Sequence, residues 1–309
     1  MTIVIPNWNG RELLEQNLPA VQAAARAYPG VAGITVVDDG STDGSADMVE
    51  AQMPGITVIR RQQNSGFAAA CRAGIEAAET ECVVLLNSDV EPRPDFLLPL
   101  LAHFEDSNVF AVSCLGLLED GKTPGEGAKE PVFARGLLRL RNSFPEGPGP
   151  TFFAVGGHCA LSRSRFLELG GFDDLFRPFY WEDVDLCYRA WKRGWKTIFE
   201  PHSRVIHRHR AGAIAQSFRR RTVTRANRRN RLLFLWKNIG PEMLARKHIP
   251  VLALRTLLGF AWFDFSFYPP LFMALSRLPS ALRGRAAARQ AAKLGDREIF
   301  GQFYRTGHR

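Results

Sequence analysis

The sequence predicts an α/β fold in which a mostly parallel central sheet is flanked by helices and followed by a C-terminal helical appendage. Three observations predict it. Short apolar runs alternate regularly with helical patterns in the first third of the chain, as in βαβ units with right-handed crossovers. Several of these runs end in Asn or Asp, which is typical of buried parallel strands. The last quarter of the chain is basic and aromatic.

The elements of the first half follow from this pattern. Asn9 and Glu12 resemble a capping box that opens the first helix, and Pro29-Gly30 ends it. Short apolar runs predict strands over residues 2–6, 34–37, 56–59 and 82–86. Helices are predicted between the later strands, over residues 45–52 and 64–78.

The second half is predicted to be less regular. Pro92 is expected to open a helix over 92–104, and a strand is expected over 109–114. Residues 116–150 are rich in Gly and Pro, so they predict a long irregular loop, of the kind that is often functional. The remaining predicted elements are a strand over 152–161 interrupted by Gly156-Gly157, a helix from Glu182 to Gly194, and strands over 195–199 and 205–207.

The totals fit a globular protein with one large α/β domain and an appendage, or two small domains. The chain has 309 residues, of which 46% are hydrophobic and 23% are charged. Its five cysteines are scattered without a zinc pattern, which favours a reducing compartment. No signal peptide is visible, so we expect a cytoplasmic protein. Because the chain opens directly on a strand, we also expect a few upstream residues to be missing.

The net charge of +9 is concentrated in residues 202–248, where Glu242 is the single acid. Such a segment suits nucleic acid, anionic lipid head groups or a phosphorylated substrate, and a solvated basic helix face is the alternative. No nucleic-acid-binding module or interleaved aromatic platform accompanies it, so nucleic acid is the least expected partner.

The first two strands end in side chains that suit a nucleoside. Asn7 and Asn9 follow the first strand, and Asp38-Asp39-Gly40 follows the second. Amide and carboxylate groups can bond a base edge or ribose hydroxyls, and Gly40 permits close approach of the backbone. The alternative is a plain Asp-Gly turn. Neither a GxGxxG fingerprint nor a GxxxxGK[ST] loop is present, which argues against the two commonest nucleotide folds.

Asp89 is the strongest single candidate for a metal ligand. The buried run 82–86 leads into Asn87-Ser88-Asp89, and open α/β sheets bind ligands at the carboxyl ends of their strands. A carboxylate there is well placed to hold a divalent cation against a diphosphate. The alternative is a turn that only ends the strand.

A second acidic cluster opens the helix near residue 182. Glu182, Asp183 and Asp185 follow Tyr180 and Trp181, as expected where sugars stack and hydroxyls bond. The alternative is that these acids only complement the helix dipole. Asp185 and Arg189 stand at i, i+4, so one acid is expected to form a structural pair. His207 could complete a metal shell, although a lone His is more often not a ligand.

Four stretches in one order resemble a family 2 glycosyltransferase of the GT-A fold, in the bacterial rhamnosyltransferase-like branch. They are IVIPNWNG (3–10), VVDDGSTDGS (36–45), VVLLNSDV (83–90) and GGFDDLFRPFYWEDVDLCYRAWKRGW (170–195). The resemblance covers residues 1–235 and implies a nucleotide-diphosphate sugar donor, a divalent metal (Mg²⁺ or Mn²⁺) and inversion at the anomeric carbon.

The resemblance also implies roles for single residues. Asn87-Ser88-Asp89 matches the family's DXD motif with Asn in place of the first acid, so Asp89 is the expected carboxylate ligand. Asp183, beside Glu182, matches the catalytic base, and Arg229-Asn230 resembles an Arg-Asn pair of the following basic helix. The residues expected to hold the nucleotide sugar are Pro6, Asn7, Asn9, Asp38, Asp39, Gly66, Asn87, Ser88 and Asp89.

The family's second metal contact is left open between two histidines. His207 matches it, but the following Gly-x-Ser pattern is replaced by HRHRAGA, so His209 is the alternative. Trp181, Asp185 and Arg189 are expected to serve either the acceptor or the structure. The loop over 116–150 is expected to recognise the acceptor.

The C-terminal appendage, residues 236–309, predicts an interfacial segment. Residues 249–275 are apolar but interrupted by Arg255, Asp264 and Pro269-Pro270. The longest charge-free run, 265–276, is too short to span a bilayer. Their aromatics and basic flanks favour peripheral attachment at the inner face of the cell membrane, and an appendage packed on the catalytic domain is the alternative.

The sequence therefore predicts an inverting, metal-dependent glycosyltransferase of cell-envelope polysaccharide or glycolipid synthesis, with a glycan or lipid-linked acceptor. A sugar-nucleotide-binding protein without turnover is the alternative, and a nucleic-acid-binding protein ranks below it.

Overall fold

The computed structural model describes residues 1–208, 217–261, 263 and 265–304. Its first half alternates strands and helices, as expected. The elements are β1 (Thr2–Asn7), α1 (Arg11–Ala27), β2 (Gly33–Asp38), α2 (Ser45–Gln52), β3 (Ile56–Arg60), α3 (Phe67–Ala77), β4 (Cys82–Leu86), β5 (Val90–Pro92) and α4 (Leu97–Ala102), with a 3₁₀ turn at His103–Glu105.

The second half holds more strands than the sequence predicts. It begins with β6 (Val109–Leu117), β7 (Pro124–Glu126), β8 (Ala128–Ala134), β9 (Leu137–Ser143), β10 (Gly149–Pro150) and β11 (His158–Ser162). It continues with α5 (Arg163–Glu168), a 3₁₀ turn at Asp174–Phe176, α6 (Glu182–Lys192), β12 (Lys196–His207) and α7 (Arg220–Asn238).

The C-terminal region is helical in its described part. It comprises α8 (Pro241–Met243), a π-helical turn at Leu244–His248, α9 (Ile249–Ala261), a 3₁₀ turn at Phe265–Phe267, α10 (Tyr268–Leu275), α11 (Leu278–Gln290) and α12 (Asp296–Tyr304). Among the described helices, none combines the length and the apolar character needed to cross a membrane. The predicted boundary at residue 235 falls inside α7, and the division into two domains stays a prediction.

The main sheet has the strand order β10-β12-β6-β11-β4-β1-β2-β3. The pairs β1–β2, β1–β4, β2–β3 and β6–β12 are parallel, while β11 runs antiparallel between β4 and β6. The predicted mostly parallel sheet with flanking helices and a helical C-terminal region is therefore confirmed. The carboxyl ends of β1, β2 and β4 lie side by side, so the polar residues after them converge.

Alternating side chains divide the core between the two faces of the sheet. Ile3 and Ile5 belong to one hydrophobic cluster with residues of α1. Val4 belongs to another hydrophobic cluster, which includes residues of α3, α6 and α7. The helix α3 lies very close to β1 because Gly74 has no side chain. A Cβ at Gly74 would lie 2.3 Å from Cγ1 of Val4.

Residues 116–150 contain strands where an irregular loop was predicted. The strand β6 continues to Leu117, and β8 and β9 form a two-stranded hairpin. Arg135 and Gly136 join them, with φ of 50° and 73°. Positive φ at both positions of a two-residue connection matches the twist of a hairpin. The Gly at the second turn position was the local signal for these strands.

Four other local predictions were wrong. Pro92 lies in β5, which pairs only with β12 in the described structure, a position that tolerates the missing N–H. The helix α1 begins after Gly10 without a side-chain cap, because Asn9 has a φ of 51° and its Oδ1 accepts from the Thr42 N–H instead. The strand predicted over 152–161 is confined to β11, and the two strands after Trp195 are one strand, β12, with a bulge.

A buried charge cluster ties α6 to α7. Asp185 is fully buried, and it accepts from Lys237 Nζ at 2.7 Å, Arg189 Nε at 2.8 Å and Asn238 Nδ2 at 2.8 Å. Burial works to raise the pKa of Asp185, but Lys237 and Arg189 outweigh it and lower that pKa. The stabilisation is therefore present above the unfolded-state pKa and is lost as the pH falls.

Removing the Lys237 ammonium should destabilise the fold far more than breaking an exposed ion pair. The substitution Lys237→Met leaves a buried carboxylate short of one cation, which costs about 3–5 kcal/mol. Urea denaturation should show that loss in the free energy of unfolding. The control is Arg11→Met, because the Arg11–Glu15 pair is 45% and 41% exposed and such pairs contribute about 0–1 kcal/mol. Equal losses in both variants would contradict the role given to Lys237.

Candidate active site

A cavity of about 800 Å³ lies at the carboxyl ends of β1 and β4. Asp89 and Asp183, which are far apart in sequence, both line it. The other predicted site residues that line it are Pro6, Asn7, Asp39, Gly66, Asn87, Ser88, Glu182 and His207. The predicted residues Asn9, Asp38, Trp181, Asp185 and Arg189 do not line this cavity.

One end of the cavity is organised by Asp39. Its Oδ2 accepts from the backbone N–H of Ser65 at 2.9 Å and of Gly66 at 2.7 Å, and its Oδ1 lies 3.2 Å from Arg61. Asp39 therefore holds the start of α3 at the cavity wall. Because Asp39 also lines the cavity, it could contact a nucleoside bound there.

Asp38 does not line the cavity, but it contacts Asn7, which does. Its Oδ1 accepts from Asn7 Nδ2 at 3.3 Å, and its Oδ2 accepts from the Ser41 N–H. The Oδ1 atoms of Asn7 and Asn87 are buried and have no hydrogen-bond donor among the described residues. Because buried polar atoms normally have partners, two such oxygens in the lining of one cavity support a bound polar ligand.

The turn after β4 is held by side chains from other elements. Asn17 of α1 donates to the Ser88 carbonyl oxygen at 2.7 Å and accepts from Arg208 at 2.9 Å. The Arg208 N–H also donates to the Asp89 carbonyl oxygen at 3.0 Å. These bonds fix the backbone that carries Asp89, whose side chain is buried.

Two histidines and a glutamate next to Asp89 form a group with metal-ligand chemistry. One ligand atom each from Glu126, His158 and His207 lies within 4.8 Å of the others. Glu126 Oε2 is 2.6 Å from His158 Nε2 and 3.0 Å from His207 Nδ1, while His207 Nε2 lies 3.5 Å from Asp89 Oδ1. Imidazole and carboxylate ligands suit a first-row divalent ion such as Mn²⁺, so these residues fit the metal that the resemblance implies.

The charges in this group shift its pKa values. Burial works to lower the pKa of His207, but its contacts with Asp89 and Glu126 raise it to about 9. Burial works to raise the pKa of Glu126, but His158 and His207 outweigh it and hold that pKa well below its usual range. The group therefore strongly favours bound positive charge.

Sequence reasoning missed Glu126 and His158. Glu126 ends β7, inside the stretch taken for an irregular loop, and His158 opens β11 directly after Gly156-Gly157. The Gly pair was a usable signal, because a Cβ at Gly157 would lie 2.6 Å from Asn87 Nδ2. His209, the alternative to His207, lies outside the described residues.

The cavity lining also includes Glu182 and Asp183 at the start of α6. Asp183 accepts from the N–H groups of Val184 at 2.8 Å and Gly156 at 3.3 Å. Burial raises the pKa of both carboxyl groups, and the neighbouring Asp183 raises that of Glu182 further. A carboxylate with a raised pKa is suited to take a proton.

The backbone before these acids is unusual and is held by α7. Tyr180 and Trp181 have φ of 70° and 77°. Asn230 Nδ2 lies 2.5 to 3.0 Å from the carbonyl oxygens of Phe176, Phe179 and Tyr180. Trp181 Nε1 donates to Asn227 Oδ1 at 2.9 Å.

The sequence left two roles open for Trp181, Asp185 and Arg189: contact with the acceptor, or a structural role. The contacts of these side chains bear on that choice. Trp181 packs on Phe234 with ring centroids 5.3 Å apart. Asp185 is enclosed in its charge cluster, and Arg189 also donates to the carbonyl oxygens of Leu169 and Gly171 at 2.7 Å. All three contacts favour the structural role over contact with the acceptor.

The comparisons with known proteins agree with this geometry. The family model for glycosyl transferase family 2 matches residues 2–170. A pre-mycofactocin glycosyltransferase of Mycobacterium tuberculosis is 32% identical over 214 residues, which are 68% of this chain and 43% of that protein. An N-acetylglucosaminyl-diphospho-decaprenol L-rhamnosyltransferase of the same organism is 27% identical over 208 residues, which are 58% of this chain and 66% of that protein. The chain thus spans less than two thirds of either relative.

Among solved structures, a mannosyltransferase from Pyrobaculum calidifontis in complex with GDP-Man and Mn²⁺ matches with a TM-score of 0.54 and 21% identity. The match covers 95% of this chain and 76% of that one, and it shows a shared fold. Together with the family match, it shows that this chain belongs to glycosyl transferase family 2 and has the GT-A fold.

Proposed function

We propose that the chain is an inverting, metal-dependent glycosyltransferase that moves a sugar from a nucleotide-diphosphate sugar to an acceptor hydroxyl. One observation carries the proposal: Asp89, two members of the adjoining metal-ligand group (Glu126 and His207) and the acids Glu182 and Asp183 line the same cavity. A transferase that activates both a leaving group and a nucleophile needs these two kinds of group in one site. The activities by which the relatives are named support the same reaction class.

The donor would lie along the β1–β4 edge. Asn7 and Asp39 would hold the nucleoside, and their neighbours Pro6 and Gly66 shape the same wall. Asp89, Glu126, His158 and His207 would hold the divalent cation, Mg²⁺ or Mn²⁺. When bound, that ion stabilises the negative charge that develops on the diphosphate.

Asp183 would act as the general base. Its carboxylate takes the proton of the acceptor hydroxyl while the acceptor oxygen forms a bond to the anomeric carbon. The bond between that carbon and the diphosphate oxygen breaks, and the electron pair leaves with the diphosphate. In this proposal the acceptor attacks from the face opposite the leaving group, which inverts the anomeric centre.

The acceptor would enter past an aromatic and basic part of the lining. Phe179, Tyr180, Phe218, Arg177 and Arg220 all line the cavity. The rings of Phe179 and Phe218 have centroids 4.9 Å apart, and such faces suit the apolar side of a sugar ring. We propose a glycan or lipid-linked acceptor of cell-envelope polysaccharide or glycolipid synthesis.

Exposed apolar side chains on the C-terminal helices support attachment at the inner face of the cell membrane. Leu257, Phe263 and Phe272 are 72%, 78% and 63% exposed, with basic residues nearby in the sequence, as in interfacial helices. Part of the basic charge of α7 is used internally, because Arg229 and Lys237 are buried against backbone and carboxylate oxygens. That internal use weakens the nucleic-acid alternative.

A donor screen tests the metal assignment. The protein is incubated with a panel of nucleotide sugars and Mg²⁺ or Mn²⁺, and release of nucleoside diphosphate is measured. We expect metal-dependent release with one or two donors, and a loss of about 10²-fold or more in Asp89→Asn, because metal stabilisation of the leaving group is worth several kcal/mol. Asp95→Asn, which changes an exposed carboxylate nearby, should keep full activity. Unchanged release by the Asp89 variant would remove the metal assignment.

Asp183→Asn separates an enzyme from a protein that only binds sugar nucleotides. Loss of a general base should lower kcat by about 10²- to 10⁴-fold. The Kd for the donor should stay close to that of the unchanged protein, because the nucleoside end lies elsewhere in the cavity. Asp174→Asn, whose side chain is 73% exposed, is the control. A binding protein without turnover would be indicated if kcat of the Asp183 variant stayed unchanged.

The pH dependence of activity tests whether Asp183 is the general base, because Lys129 affects the pKa of Asp183. Activity should fall as the pH drops through the raised pKa of Asp183, because only the ionised carboxylate accepts a proton. Lys129 works to lower the pKa of Asp183. The variant Lys129→Met should therefore move the acid limb of kcat/KM to higher pH, by on the order of 1 unit. The exposed Lys122→Met is the control, and a limb that stays in place in both variants would argue against Asp183 as the base.

A further inference from the structure

Four arginines from three elements gather on the surface that joins α7 to the apolar C-terminal helices. We call Arg139, Arg228, Arg231 and Arg255 the arginine cluster. Arg228 and Arg231 lie on α7, Arg139 on β9 and Arg255 on α9. Burial is the largest cause that lowers the pKa of Arg231, and the other three arginines of the cluster lower it further.

Arg231 lies innermost in this cluster. Its Nε is buried and has no hydrogen-bond acceptor among the described residues, while Arg139, Arg228 and Arg255 are exposed. A buried guanidinium nitrogen without an acceptor costs stability, and repulsion from three like charges adds to that cost. The buried Nε of Arg231 without an acceptor among the described residues, with like charges around it, points to an anion that completes the site.

The arginine cluster borders the exposed apolar surface of the C-terminal helices. Leu254 and Leu257 flank Arg255 on α9 and are 56% and 72% exposed. The guanidinium of Arg255 lies 4.7 Å from the centroid of the Phe267 ring, and Arg228 lies 3.4 Å from the Ser266 carbonyl oxygen. Cations at the rim of an apolar face meet head-group phosphates when that face rests on a membrane.

The arginine cluster is also joined to the cavity by one helix. Arg220 and Val223 of α7 line the cavity, and Arg231 lies two turns farther along the same helix. Eight residues of α-helix span about 12 Å. An acceptor whose phosphate sits on Arg231 could therefore place a hydroxyl of its sugar portion near Asp183.

We propose that the arginine cluster binds the phosphate or diphosphate group that joins a sugar acceptor to its lipid. Guanidinium groups suit this ligand because their paired N–H donors match phosphate oxygens. The proposal rests on the proposed function for the identity of the lipid as acceptor. Binding itself requires no turnover, so the two can fail separately.

Vesicle binding tests the proposal. The full chain is sedimented with phosphatidylcholine vesicles that contain phosphatidic acid, and with matched vesicles in which oleic acid supplies equal negative charge. We expect tighter binding to the phosphate vesicles. Arg231→Gln should weaken that binding about fivefold or more, since one basic residue near an anionic surface contributes about 1 kcal/mol.

The matched control is Arg26→Gln. Arg26 is exposed at the end of α1, which packs on the sheet face opposite to α7. The Arg26→Gln substitution removes the same charge as Arg231→Gln. The melting temperature of Arg231→Gln should be unchanged or higher, because the substitution relieves repulsion. Should that variant fail to fold, the double variant Arg139→Gln/Arg228→Gln changes two exposed positions and should give the same loss.

Several outcomes would overturn the proposal. One is an equal loss of vesicle binding in Arg231→Gln and Arg26→Gln. Another is inorganic pyrophosphate binding as tightly as the phosphate vesicles, which would indicate a site for a free anion. A third is Arg231-dependent binding of a single-stranded oligonucleotide without any Arg231-dependent vesicle binding. Throughout, metal-dependent release of nucleoside diphosphate should persist in Arg231→Gln, so that loss of lipid binding is distinguished from failure of the catalytic proposal.

Discussion

The arrangement of the candidate site depends on a buried carboxylate that lies outside the cavity lining. Asp185 has no exposed surface, and its charge is met by Lys237 and Asn238, which lie more than fifty residues later in the chain. This contact fixes α6 against α7. It thereby sets the direction in which the two preceding acids, Glu182 and Asp183, face the cavity. Loss of this contact would change the positions of Glu182 and Asp183 without removing either side chain.

Two parts of the cavity lining differ in their electrostatics. Asp89 and Glu126 contact His207 and raise its pKa to about 9, so this part of the lining favours positive charge. Burial raises the pKa of Asp183, so this carboxylate binds a proton more readily. The surroundings of Glu126 and Asp183 thus shift the pKa values of these two carboxyl groups in opposite directions.

Much of the fold and part of the cavity lining could be predicted because the signals are local. Asp39 and Asp89 each follow a short buried strand, and parallel strands bring such ends together. Glu126 and His158 could not be predicted in the same way, since they meet His207 through pairings between distant strands. Resemblance, rather than periodicity, supplied the role expected of Asp183.

The close approach of α3 to β1 has a mechanical consequence. Gly74 sits where the helix touches Val4, and the opposite end of that helix presents the Ser65 and Gly66 amides to Asp39. A methyl group at position 74 would push this part of α3 away from Val4 and would tilt the helix relative to the sheet. A substitution at this interior position would then displace the end of the cavity that Asp39 helps to form, where the proposed donor would place its nucleoside.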